Sequence, residues 1–177
     1  MPNWCKNNLR IIDNGEKVLE VLELIKDDKG EMTFSKIAPM PKELEDTSSP
    51  VRDDVPKEER ERLKKKYGAD NWYDWHIQNW GCKWDASDSA FYKNGEYWMV
   101  SFQTPWGPPI EFLRTLSKKF KKMSFELQFA DEGAGQYPLG ELVFECGAEI
   151  FCDGPEEDTD EAREFAVSVW DEEWVEV

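Results

Sequence analysis

Between residues 4 and 12 the side chains alternate in character. Cys5, Asn7, Leu9 and Ile11 fall on one side and Lys6, Asn8 and Arg10 on the other, the period of a half-buried strand. Asn14-Gly15 is placed to end it. From about Glu16 to Lys26 the period becomes helical, with Val18, Val21, Leu22 and Ile25 recurring on one face, and Gly30 suits the close of that helix. Residues 31–82 differ in kind. Met32 to Ile37 reads as a short strand stopped by Pro39 and Pro41, a polar stretch runs from Glu45 to Pro56, and Lys57 to Tyr67 is a charged helix with Leu63 as its one large inward residue. A second helical piece from Asp70 toward Gln78 puts Trp72, Trp75, His76 and Asn79 on one face. The whole stretch reads as an insertion that delivers aromatic side chains.

A hairpin follows, with Lys83–Lys93 and Glu96–Thr104 joined by Asn94-Gly95. A two-residue turn there pairs Phe91 with Trp98, Ser89 with Val100, Ser87 with Phe102 and Asp85 with Thr104. Pro108-Pro109 opens a helix whose stripe is Ile110, Leu113, Leu116 and Phe120, and Lys118, Lys119, Lys121 and Lys122 gather at its C-terminal end. Phe125, Leu127 and Phe129 alternate as a strand. Leu142–Cys146 and Glu149–Cys152 read as a small hairpin across Gly147, and a helix beginning near Asp158 carries Ala162, Phe165, Ala166 and Val169. With the insertion set aside, the order is β-α-β-β-α-β. This predicts an α+β, ferredoxin-like antiparallel sheet with two helices on one face, a helical insertion and a C-terminal β-hairpin/helix extension. We expect a single domain over residues 1–177, with 31–82 as the insertion and 153–177 as an acidic C-terminal extension.

Charge narrows the partners. The net charge of the 177 residues is −16, and residues 153–177 carry eleven acids against one base, Arg163. Such a chain repels phosphate backbones, so direct nucleic-acid binding is disfavoured and the acidic end reads first as a solvated tail. No apolar run approaches a membrane span. The four cysteines show no paired spacing and the N-terminus has no signal-peptide pattern, which predicts a cytoplasmic protein without disulfides.

Catalytic chemistry has few carriers. His76 is the single histidine, and a lone histidine on an aromatic helix face is usually packed and hydrogen-bonded. The cysteines form no tetrahedral set, so no metal is expected, and no phosphate-cradle or nucleophile-elbow motif implies a cofactor. Asp85 with Asp88, and Asp131 with Glu132, are the available carboxylate pairs. The stronger signal is aromatic: six of the nine tryptophans lie between Trp72 and Trp106. Trp98 reads as core. Trp80, Trp84 and Trp106 flank glycine and proline turns beside Asn79, Lys83 and Asp85, the mixture that holds a planar ligand or a partner's side chain. The expected pocket is lined by Asn3, Trp4, Asn79, Trp80, Trp84, Asp85, Thr104 and Trp106, with Glu132 closing it.

Several segments together carry a resemblance: Met1-Pro2-Asn3-Trp4-Cys5 with Asn7, Pro39-Met40-Pro41 with Glu43-Leu44, Asn79-Trp80-Gly81 with Lys83-Trp84-Asp85, and Phe102-x-Thr104-x-Trp106-x-Pro108-Pro109. Cys82 stands where the pattern has Thr. In these residues the chain resembles the YubB-like proteins with a ferredoxin-like domain, which are found mainly on phages, conjugative plasmids and integrated bacterial islands. The resemblance implies the same fold class and an accessory protein of a mobile element, and it implies no catalytic residue. The leading expectation is a non-enzymatic module that binds a protein or small molecule. An acidic mimic of DNA directed at a host DNA-binding or restriction protein is the alternative. A hydrolase is a third reading, and it requires Asp85, His76 and Glu132 to converge.

Overall fold

The computed structural model describes residues 2–12, 17–95 and 97–171. Met1, the Asn14-Gly15 strand end, the helix start at Glu16, Glu96 of the hairpin and residues 172–177 of the acidic extension lie outside the described residues. Strand β1 (Trp4–Ile12) runs along the centre of a six-stranded sheet. It pairs antiparallel with β3 (Tyr97–Pro105) on one side and β4 (Ser124–Asp131) on the other, so that Leu9 lies between Val100 and Leu127. β2 (Ser87–Asn94), β5 (Leu139–Glu145) and β6 (Ala148–Asp153) complete the order β2-β3-β1-β4-β5-β6. The first four strands form the ferredoxin-like sheet, and the C-terminal hairpin widens it beyond β4.

Alternation along β1 decides the faces. Cys5, Asn7, Leu9 and Ile11 are all fully buried on the face that receives α1 (Val18–Ile25) and α5 (Ile110–Lys119). These helices bring Val21, Leu22 and Ile25, and Phe112, Leu113 and Leu116, into that core. Each such side chain contributes about 1.5–3 kcal/mol by leaving water. The opposite face is half covered by α6 (Asp160–Asp171), whose Ala162, Ala166 and Val169 sit against Ala130 and Leu139. Asn8, on this face, donates to the Val169 carbonyl at 2.9 Å. This part of the acidic segment is therefore a docked helix, in place of the solvated tail that its charge predicts.

Between α1 and β2 stand α2 (Lys42–Glu45), α3 (Lys57–Tyr67) and α4 (Trp72–Asn79). α3 buries Leu63 and packs Tyr67 against the core, and ion pairs join it to its neighbours. The Glu43 carboxylate accepts from Arg62, Lys66 and Tyr67, which hold its pKa down to about 2, and buried Asp70 pairs with Arg60 and Lys64. Asn71 caps α4 by accepting from the Asp74 amide.

Three local expectations are corrected. Gly30 does not close α1, which stops at Ile25; it sits in a turn held by the Asp27 side chain, which accepts from the Lys29 and Glu31 amides. Residues 32–37 make a single bridge, Lys26 to Met32, and then a turn closed by bonds from the Ile37 and Ala38 amides to the Phe34 carbonyl. The β2–β3 register is displaced by two residues, with Phe91 opposite Val100 and Lys93 opposite Trp98, and it shifts again between Ser87 and Ala90. The chain turns one residue later than a turn centred on Asn94-Gly95 requires. Asp85 therefore does not meet Thr104.

Gly81 makes the tightest junction. Its amide closes α4 on the carbonyls of His76 and Ile77 with φ at +86°, and a Cβ there would lie 2.8 Å from the Ile110 amide nitrogen. Backbone stands on both sides of the clash, so Gly81→Ala should cost about 1–3 kcal/mol. Urea denaturation checks this, and an unchanged midpoint would contradict the packing.

Candidate functional site

The aromatic insertion meets the sheet helices through Trp80, which is 4% exposed. Its indole N–H donates to the Ala38 carbonyl at 2.9 Å, and its own carbonyl accepts from the Phe112 amide at the start of α5. Phe34 and Trp75 meet the ring edge-on, with centroids 5.8 and 5.9 Å away. His76 stacks on it at 3.8 Å. The sequence places Trp80 in a pocket wall, and the structure makes it first a core residue with its polar atom satisfied.

Around this anchor lies a cavity of about 450 Å³, lined by His76, Trp80, Trp84 and Asp85 from α4 and the segment after it, by Ser35, Pro39 and Met40 from the chain leading into α2, and by Glu45 at the end of α2. Trp84 is 40% exposed. Asp85 supports the wall: one carboxylate oxygen accepts from the Phe34 and Ala86 amides, the other from the Thr33 and Ser35 hydroxyls. The Cys82 thiol donates to the Trp84 carbonyl at 3.2 Å and fixes the same turn. Burial pushes the Cys82 thiol up, as the nearby Asp85 charge does, so it is no nucleophile at neutral pH.

His76 carries the unusual chemistry. Its Nδ1 lies 2.8 Å from the Lys83 carbonyl, which can only accept, so Nδ1 bears the proton and Nε2 is a lone-pair acceptor. Nε2 is buried and meets no partner among the described residues. Burial lowers the imidazole pKa, while the Lys83 carbonyl and the Asp85 charge oppose that shift.

The other expected site residues lie outside that lining. Trp106 is 46% exposed, and the Lys83 ammonium lies 4.4 Å from the Trp84 ring centroid and 4.8 Å from that of Trp106. Trp106 holds a left-handed φ of +70°, with its amide donating to the Asn3 carbonyl. Asn3 also reaches Asp131 at 3.4 Å, and the Trp4 carbonyl accepts from the Glu132 amide, so Asn3, Trp4 and Glu132 cluster where β1 meets β4. Thr104 is fully buried, accepting from Asn7 and donating to the Gly107 carbonyl. The Asn79 amide closes back on the Trp75 carbonyl. Of the nine residues, three line the cavity. Glu132 does not join His76 and Asp85 there, so the three-residue hydrolase constellation is not formed. The cavity residues that sequence reasoning missed are Ser35, Pro39, Met40, Glu45 and His76. Pro39 and Met40 are visible beforehand only as marker positions.

A second cavity, of about 370 Å³, lies on the opposite sheet face, and its polar groups satisfy one another: Arg10 pairs with Glu126 and the Gln128 amide donates to Glu141. Among the described residues no three acidic, histidine or cysteine side chains gather as a metal set, and no helix is long and apolar enough to cross a membrane.

A family model described as "Ferredoxin-like domain in Api92-like protein" matches residues 79–173, a span that opens at the Asn79-Trp80-Gly81 segment. Among solved structures, the crystal structure of the protein api92 from Yersinia pseudotuberculosis is similar over 90% of this chain and 100% of its own, with a TM-score of 0.51 and 10% identity. At that identity the likeness shows the fold alone. No curated protein matches the sequence.

Two outcomes test the site's electrostatics. Because burial disfavours the charged imidazole, the folded protein binds this proton less readily than the unfolded chain. The contribution to stability is complete above the ordinary pKa of 6.5 and is lost as pH falls from there through the folded value. NMR titration of His76 should give a midpoint below 6.5; a midpoint at or above it contradicts the burial. Asp85→Ala leaves the Phe34 amide and two hydroxyls without their acceptor and should destabilise by about 1–3 kcal/mol in chemical denaturation.

Proposed function

The chain belongs to the family of Api92-like proteins with a ferredoxin-like domain, and from that premise we propose that it is a non-enzymatic binding module whose ligand site is the cavity between α4 and the chain leading into α2. The observation that carries this reading is an aromatic-walled cavity whose lining includes His76, a residue with a buried Nε2 that meets no partner among the described residues. Proteins rarely leave a buried acceptor unsatisfied, because desolvating it without a partner costs about 1–3 kcal/mol. A ligand that donates to Nε2 recovers that cost. Trp80 and Trp84 supply flat apolar surface, and Met40 and Pro39 add a softer wall.

The setting that the marker residues imply, an accessory protein of a mobile element within the narrower YubB-like group, suits a module that captures a host molecule without transforming it. A cytoplasmic location accords with the free cysteines. The acidic-mimic alternative draws on charge alone. Much of its acidic segment is α6, committed to the sheet through Ala162, Ala166 and Val169. Asp160 of that helix is paired with Arg163.

The reading predicts that fragments found by ligand-observed NMR on the full chain lose binding at least tenfold in Trp84→Ala while the melting temperature falls far less than in Trp80→Ala, since Trp84 is 40% exposed and Trp80 4%. Fragments that bind the variant equally well, or no binding by any fragment, would contradict it.

A further inference from the structure

Four observations about the cavity point to one kind of ligand. His76 lines it, and the buried Nε2 of that residue is a neutral acceptor, so a group that reaches it must be a donor. Two carboxylates, Glu45 and Asp85, line the same space, and among the described residues no lysine or arginine lines it. Asp85 has both oxygens engaged by the chain and contributes charge, whereas Glu45 is exposed at the rim. The walls are indoles, and Lys83 shows that indole faces at this site accept a cation, with its ammonium within 5 Å of the Trp84 and Trp106 centroids.

We infer that the cavity binds a guanidinium group on an apolar stem, its N–H groups donating to His76 Nε2, its charge met by Glu45 and Asp85, and its stem lying against Met40 and Pro39. A guanidinium group is planar, stacks on aromatic faces and donates in several directions from one plane, which fits an acceptor, a carboxylate and an indole presented together. The inference rests on the binding-module reading and names its ligand class. Two sources offer this chemistry, a small free guanidine and an arginine side chain of a partner protein.

His76 is the single histidine, so selective ¹⁵N-histidine labelling of the full chain yields one resolved Nε2 signal. Agmatine should move that signal saturably. N-carbamoylputrescine keeps agmatine's ammonium and stem but has a neutral urea, with fewer N–H donors, in place of the guanidinium, and should bind at least tenfold more weakly. Glu45→Gln, at an exposed position, should weaken agmatine about tenfold while leaving the melting temperature unchanged, the size of one charge-assisted contact. An acetylated arginine tripeptide that binds more tightly than agmatine assigns the ligand to a partner protein; the reverse order assigns it to a free guanidine. Equal binding of agmatine and the urea overturns the guanidinium class and leaves the cavity as a binding site. An Nε2 signal unmoved by every guanidine, while fragments still bind in a Trp84-dependent way, overturns the inference alone. If fragments fail as well, the binding-module reading falls with it.

Discussion

An indole can be buried cheaply only if its N–H finds an acceptor, and in this protein that requirement organises the insertion. The N–H of Trp80 takes the Ala38 carbonyl, more than forty residues away, and so fixes the turn after Phe34 against α4. The same residue's carbonyl takes the Phe112 amide, which joins α4 to the opening turn of α5. These two bonds tie the turn after Phe34, α4 and α5 together. They also force the close approach at Gly81, where no side chain fits, and they hold His76 flat against the indole. The chain from Ser35 to Glu45 then has to pass round the anchored ring, and the cavity is the space left between them.

The strands and helices were legible because their periods are local. β1 and β4 alternate cleanly, and the stripe of α5 repeats every three to four residues, so class and order follow from neighbours in sequence. The face taken by α6 was not legible. Ala162, Ala166 and Val169 mark a buried stripe, but nothing local says which side of the sheet receives it; the Asn8 bond to Val169, 161 residues apart, settles that. The hairpin register failed for a related reason. Asn-Gly identifies a turn, yet the pairing of Lys93 with Trp98 and the irregularity between Ser87 and Ala90 are set by how β3 lies on β1.

The site was legible as composition and not as geometry. Sequence marks the tryptophans, the asparagines and Asp85 as unusual, but their partners are largely backbone groups, which leave no trace in residue identity. Thr104 looks like a pocket hydroxyl and is spent on Asn7 and Gly107; Asp85 looks like a ligand carboxylate and caps residues 33–35. His76, a packed side chain on sequence grounds, does stack and bond through Nδ1, while its second nitrogen is the acceptor left over. The aromatic cavity at the insertion brings His76, whose Nε2 meets no partner among the described residues, together with apolar walls.

Exchange of the indole protons gives the most direct test of Trp80 as the anchor of this arrangement. The Trp80 N–H is buried and bonded to the Ala38 carbonyl, whereas Trp84 and Trp106 are substantially exposed. The account predicts that in deuterated solvent the Trp80 indole proton exchanges only through global unfolding, with a protection free energy equal to the stability measured by denaturation, while those of Trp84 and Trp106 exchange orders of magnitude faster. A Trp80 proton that exchanges as fast as the other two would contradict it.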